Sequence, residues 1–243
     1  QAVVERLTGF GLHMQQVKQE NAQKDLDRKV SPSEDIIARE MDVDLPDGSS
    51  VLKQVSFTLE PGTNVLIKGV SGSGKSTLLR VLAGIWPYAK GTLEIPSDER
   101  IMFIPQRPYL PLGTLKESLL YPGTKTRTDE ELKELMDSCS IGYLYEKLYI
   151  EADWSHVLSI GEQQRLAFVR ALIYKPLWLF LDEASSALDE ETEARVYTLL
   201  MTDASSTTLV SVGHRSTLSK YHQNVLYLDK ENHSLYWKEK EAL

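Results

Sequence analysis

The sequence predicts an α/β domain: a core of mostly parallel sheet with helices, an antiparallel β-subdomain ahead of it and a small helical subdomain within it. Two observations carry this expectation. Short continuous apolar runs (Val65-Leu66-Ile67, Ile101-Met102-Phe103-Ile104, Leu177-Trp178-Leu179-Phe180-Leu181 and Thr208-Leu209-Val210-Ser211-Val212) alternate with helical stretches. Runs of this kind read as parallel strands buried on both faces. The stretch after about residue 113 lacks such runs and holds the acidic helical segment Asp129 to Asp137, which predicts helices there.

Residues 1–34 carry apolar positions at Val3, Val4, Leu7, Phe10 and Val17, then turn strongly polar through Lys24 to Lys29. This pattern predicts an amphipathic helix fraying into a linker. Ser31-Pro32-Ser33 marks a break, so the compact domain is expected over 35–243. Val51 to Leu59 alternates loosely and ends at Glu60-Pro61-Gly62, which predicts the small antiparallel sheet. The helical subdomain is expected over about 113–175. Asn224 to Leu228 and Ser234 to Trp237 flank Asp229-Lys230-Glu231-Asn232 as a hairpin, and no internal repeat is present.

Composition narrows the function. A formal net charge of −8 argues against a general nucleic-acid surface, because affinity for a phosphate backbone needs clustered Lys and Arg. No nucleic-acid partner is expected. Cys139 is the only cysteine, which excludes an internal disulfide and a cysteine-rich zinc site. No run approaches the roughly 18 to 20 apolar residues of a membrane-spanning helix, and the N-terminus has no basic start leading into an apolar stretch. A cytosolic setting is expected.

Chemistry enters at Gly69-Val70-Ser71-Gly72-Ser73-Gly74-Lys75-Ser76, which fits G-x-x-x-x-G-K-[ST] between an apolar strand and a helical stretch from Thr77 to Ile85. This is the phosphate loop of a P-loop NTPase core. Its glycines let backbone N–H groups turn inward while the helix N-terminus adds positive potential. Gly69, Ser71, Gly72, Ser73, Gly74, Lys75, Ser76 and Thr77 are therefore the expected ATP-binding residues, with Lys75 reaching the β- and γ-phosphates and Ser76 holding Mg²⁺. The run Leu177 to Leu181 ends in Asp182-Glu183, two carboxylates at the edge where open α/β sheets bind ligands. Asp182 is expected to support Mg²⁺, and Glu183 to polarise the water that attacks the γ-phosphate.

Between these motifs, Leu158-Ser159-Ile160-Gly161-Glu162-Gln163-Gln164-Arg165 resembles the signature motif of ABC ATPases. Gln106 resembles that family's Q-loop, Ser186-Ala187-Leu188-Asp189 its D-loop and His214 its switch histidine; the resemblance runs from about Leu45 to Leu228. It implies a head-to-tail homodimer in which each ATP is sandwiched between one phosphate loop and the opposite signature. Ser159, Gly161, Glu162 and Asp189 are carried over as nucleotide contacts, and Gln106 as a residue touching metal and water. His214 is expected to hold the water and Glu183 in line. The motif departs from the commonest pattern at Ile160 and Glu162, and no aromatic residue lies between Gly11 and Ser56 to stack on adenine.

The runs Ile104 to Leu115, Leu120-Tyr121-Pro122 and Asp153-Trp154-Ser155 resemble a subgroup that contains the peroxisomal fatty-acyl transporters and bacterial permease/ATPase fusions. That resemblance implies an ABC membrane domain on the same full-length chain, upstream of the residues resembling its exit, Ala2 to Leu7. The implied place is the cytoplasmic face of a membrane, the bacterial inner membrane in particular, and the implied activity is that of an ATP-hydrolysing transporter motor. A soluble ABC-type ATPase not coupled to a membrane domain is the alternative. The 84-position separation of Lys75 and Ser159 leaves no room for the long coiled coil of chromosome-maintenance members.

Overall fold

The structure, a computed structural model, describes residues 26–123 and 125–238. Two sheets organise it. The first has the order β1-β5-β2-β3, formed by β1 (Leu26–Val30), β2 (Ile36–Asp44), β3 (Ser50–Leu59) and β5 (Ala89–Ile95). β2 pairs antiparallel with both β3 and β5, the antiparallel sheet expected ahead of the core, but the β2–β3 hairpin turns at 45–49, whereas Glu60-Pro61-Gly62 leads from β3 on to the second sheet.

The second sheet has the order β12-β11-β4-β10-β9-β6: β4 (Val65–Gly69), β6 (Ile101–Ile104), β9 (Trp178–Asp182), β10 (Thr208–Val212), β11 (Asn224–Asp229) and β12 (Ser234–Lys238). Its four pairings from the β6 edge to β11 are parallel, and only the β11–β12 hairpin is antiparallel. The four apolar runs are four of these strands. Both central strands β9 and β10 are buried throughout, because their two faces meet different cores. Trp178 and Phe180 of β9 point into the core shared with the first sheet, whereas Leu179 and Leu181 point into the core of the helical region. The two-residue side-chain period of a strand requires this split.

Helix α1 (Lys75–Leu82) lies between the sheets and packs on strands of both. The helical region holds α2 (Leu115–Leu120), α3 (Asp129–Ser138), α4 (Trp154–Val157) and α5 (Ile160–Tyr174), with the small pair β7 (Gly113–Thr114) and β8 (Glu151–Ala152). Capping boxes at Thr114/Glu117, Thr128/Glu131 and Ser159/Glu162 start α2, α3 and α5. Each satisfies two helix-end donors. α5 packs on α2 and α3 and on α6 (Glu190–Asp203), and ten of its residues are buried. Cys139 is buried in this core, where desolvation pushes its thiol up to about 12 and leaves it inert.

One expectation needs correcting. Leu26–Val30, placed with the linker on its polarity, is a strand of the first sheet, paired in parallel with β5 from Leu26↔Gly91 to Val30↔Ile95. Four of its five side chains are exposed. An edge strand is held by main-chain bonds and tolerates charge, so it shows no apolar pattern. The amphipathic helix expected before it lies outside the described residues.

Candidate functional site

All the parallel strands of the second sheet end on one edge, and the chemistry gathers there. β4 runs into the phosphate loop, β9 into Asp182 and Glu183, β10 into His214 and β6 into Gln106. Gly74 closes the loop at φ 94° and directly precedes α1. A Cβ added there would lie 2.1 Å from Val51 Cγ1, so only glycine lets the loop pack on β3. Ser71 and Gly72 form the exposed crest, and Thr77 is buried in the first turn of α1.

Lys75 is 7% exposed, and its Nζ donates to the carbonyls of Gly69 and Val70, each at 3.0 Å. Burial lowers its pKa, against the opposing pull of the Glu183 and Asp182 carboxylates. The ammonium thus braces the loop it belongs to and sits ready for an anion. Ser76 Oγ donates to Asp182 Oδ1 at 2.5 Å, and Arg80 Nη2 lies 3.9 Å from Asp182 Oδ2. Burial nevertheless raises the Asp182 pKa, despite the Ser76 hydroxyl and the Arg80 charge. This carboxylate lacks sufficient positive charge nearby.

Glu183 is the next residue, and it stands in the left-handed region at φ 51°, with its N–H bonded to the Val212 carbonyl at 3.0 Å. Its side chain meets two partners: His214 Nε2 at 3.2 Å from Oε1 and Gln106 Nε2 at 3.3 Å from Oε2. Residues 106, 183 and 214 therefore meet in one cluster beside Lys75, Ser76 and Asp182. Gln106 also donates to Ser186 Oγ at 3.4 Å.

The signature residues are held differently. Ser159 caps α5: its N–H and Oγ donate to Glu162 Oε2 at 2.8 and 2.6 Å, and Tyr143 OH donates to Glu162 Oε1 at 2.5 Å. Burial pushes the Glu162 carboxyl up, but the Ser159 and Tyr143 bonds and the Arg165 charge outweigh it and hold the pKa below the usual range. Gly161 sits against the Ala187 carbonyl, which a Cβ would approach to 3.1 Å. Asp189 caps α6, accepting from the Thr192 N–H at 2.8 Å and hydroxyl at 2.9 Å. Ser159 and Asp189 thus bond within their own helix caps, and Glu162 bonds its cap and Tyr143.

One connecting residue escaped the sequence reading. Gln164 is fully buried; its Nε2 donates to the Gln106 carbonyl at 2.9 Å and its Oε1 accepts from the Ala187 N–H at 3.0 Å. It ties the signature helix to both the Gln106 and the 186–189 segments. The amide sits inside the quoted motif, but nothing in its spacing announces the contacts.

The site fits a nucleotide with a hard cation. Ser73 Oγ is buried in the loop without a partner, an open polar group of the kind a ligand satisfies. Ser76 and Asp182 offer converging oxygens, and among the described residues no cluster of three or more His, Cys, Asp or Glu side chains has metal-ligand geometry. A Mg²⁺ ion held by one or two protein oxygens, with phosphate and water completing its shell, matches that donor set.

A family model described as ABC transporter matches residues 52–186, more than half of the chain. The chain belongs to the ABC transporter family. It is 43% identical over 195 residues to an uncharacterized ABC transporter ATP-binding protein of Haemophilus influenzae, covering 80% of this chain and 33% of that protein. It is 37% identical over 193 residues to mouse ATP-binding cassette sub-family D member 3, covering 76% of this chain and 29% of that one. The chain thus spans about a third of the length of these curated relatives. Among solved structures it resembles a bacterial Atm1-family ABC exporter with ATP bound, at TM-score 0.74 and 25% identity, covering 88% of this chain and 40% of that one. It is an ABC transporter ATP-binding domain, and its family implies ATPase activity. Among the described residues no helix is long and apolar enough to cross a membrane.

Proposed function

We propose that this domain is the ATP-hydrolysing motor of a membrane transporter, working as a head-to-tail dimer on the cytoplasmic face of a membrane. The observation that carries the reading is the meeting of Glu183, His214 and Gln106 beside Lys75, Ser76 and Asp182. Lys75 and the loop N–H groups bind the phosphates; Ser76, Asp182 and Gln106 would hold Mg²⁺, which supplies charge neutralisation on the phosphate oxygens. Glu183 accepts hydrogen-bond character from the attacking water and polarises it, and His214 fixes the carboxylate in line. Hydrolysis cleaves the bond between the γ-phosphorus and the β–γ bridging oxygen, releasing ADP and phosphate.

Ser159, Gly161 and the exposed N-terminus of α5 then face the γ-phosphate bound by the opposite copy, with Glu162 orienting Ser159 and Asp189 placing its own segment at the dimer junction. ATP joins the two copies and hydrolysis separates them. A membrane domain on the remaining length of the full protein is the coupled partner. A groove of about 990 Å³ lined by Met102, Phe103, Tyr109, Tyr121 and Arg170 offers a surface for such a contact.

Glu183→Gln tests the core of this reading. Light scattering after size exclusion is expected to show a monomer without nucleotide and a dimer with ATP, while turnover falls by about 10²- to 10⁴-fold. Turnover within twofold of the unmutated chain would remove Glu183 from the reaction.

A further inference from the structure

Glu193, on α6, is a carboxylate with 1% side-chain exposure. Taking such a charge out of water costs several kcal/mol unless partners replace the lost hydration. Its partners are unusual in where they come from. Oε2 accepts from Ser185 Oγ at 2.7 Å and lies 3.4 Å from Arg215 Nη1, and Oε1 accepts from Thr217 Oγ1 at 2.6 Å. Arg215 Nη2 in turn donates to the carbonyls of Leu188 at 2.6 Å and Ser186 at 3.3 Å. Ser185 lies two residues beyond Glu183, and Arg215 adjoins His214.

We propose that Glu193 is a positioning residue for hydrolysis: through Arg215, Thr217 and Ser185 its buried carboxylate locks the His214 segment against the Glu183–Leu188 segment. The inference rests on the reading that Glu183 and His214 act in the reaction. The β9–β10 ladder ends at the bond from the Glu183 N–H to the Val212 carbonyl; beyond it His214 is 60% exposed, and Glu183 keeps a backbone conformation that side chains ordinarily avoid. That last bond holds the strand ends together but does not by itself set the 3.2 Å His214–Glu183 side-chain contact. One anchor that grips both segments does. An arginine suits the junction because its planar fork can serve a carboxylate and two carbonyls at once. Stability alone would not select this arrangement, since a buried ion pair is often no better than a well-packed apolar group of the same volume.

The test is a cycle on the whole chain: unmutated, Glu193→Gln, His214→Ala and the double variant, each assayed for kcat, KM and fluorescent-nucleotide affinity. Glu193→Gln preserves shape and is expected to lower kcat by about 10- to 100-fold while KM and affinity stay within twofold. In the His214→Ala background the same change is expected to cost less than twofold, because the group it positions is gone. Arg215→Lys, at a part-exposed position, is the second probe should Glu193→Gln fail to fold, and it is expected to lower kcat with the same insensitivity in the His214→Ala background. An equal loss from either probe in both backgrounds, or a kcat loss tracked by affinity, would overturn the positioning role and leave the proposed reaction standing. Full activity in His214→Ala alone would overturn that reading and the inference with it.

Discussion

The sheet-edge cluster and the signature segment both serve phosphate in the proposed function, yet they are built on opposite plans. At the sheet edge the bonds span long sequence separations, Ser76 to Asp182 and Gln106 to Glu183, and several of the groups are buried. At the signature, Ser159 bonds Glu162 three residues away, and the helix N-terminus is exposed around Ile160. The first is assembled by the tertiary fold and is complete within one chain. The second is assembled by local helix capping and presents its donors outward. In the proposed function the site finished by its own fold binds nucleotide alone, whereas the one that looks outward is met by a second copy.

A crossed pair of substitutions breaks or upholds this division, and it carries the largest expected effects. Lys75→Ala deletes charge-assisted hydrogen bonds to the phosphates and is expected to weaken ATP binding by about 10- to 100-fold, with dimerisation lost as a consequence. Ser159→Arg adds bulk at the outward-facing cap and is expected to abolish the ATP-dependent dimer while leaving the affinity of the monomer within about twofold of normal. Calorimetric titration and light scattering on the same samples read both quantities. If Ser159→Arg also destroyed monomer binding, the two regions would not be separable.

The next effect sharpens the electrostatics of the sheet edge. Because burial raises the Asp182 pKa, the folded state retains a proton that the unfolded state has already lost. The contribution of Asp182 to stability therefore falls as pH rises from about 4 through the raised value, and it stays unfavourable above. Asp182→Asn is expected to raise the thermal midpoint of the metal-free chain at neutral pH, with the gain vanishing below pH about 4. With Mg²⁺ and ATP the order is expected to reverse, since the carboxylate then meets its cation. Melting curves with and without Mg²⁺-ATP decide it; a midpoint lowered by the substitution in both conditions would mean that Asp182 is structural.

How far the sequence alone reaches differs between the regions in the same way. The phosphate loop is eight contiguous residues whose types state their chemistry, and the apolar runs ending in Asp182 and before His214 place two more segments at one edge. Gln106 and His214 carried meaning only through resemblance, because a lone amide and a lone imidazole have no pattern. Glu193, Arg215 and Gln164 stayed silent: their roles lie in contacts between segments 20 to 60 residues apart, as in Arg215 with Glu193 or Gln164 with the Gln106 carbonyl. Leu26–Val30 was hidden for another reason. Its pairing with β5 rests on main-chain bonds and four of its five side chains are exposed, so charge at Asp27, Arg28 and Lys29 is compatible with a strand and reads as a linker.

The smallest expected effect tests whether the signature cap is tuned from outside its own helix turn. Among the described residues, Tyr143 OH is the one donor to Glu162 that comes from beyond the cap and its helix, and it is joined by the Arg165 charge in keeping the Glu162 pKa low. A carboxylate with a depressed folded pKa adds stability above its unfolded value of about 4.5, and that stability is lost as pH falls through the folded value. Tyr143→Phe removes one exposed hydrogen bond, for which about 0.5 to 1 kcal/mol is an upper range after solvent screening. The thermal midpoint is expected to drop by about 2 °C or less at pH 7 and to converge with the unmutated chain in acid. The acid limb of ATP turnover is expected to move to higher pH, because Glu162 then releases Ser159 at a higher pH. An unmoved acid limb would show that the cap holds Ser159 by local bonds alone, and the contrast between a fold-built and a helix-built half-site would then be sharper still.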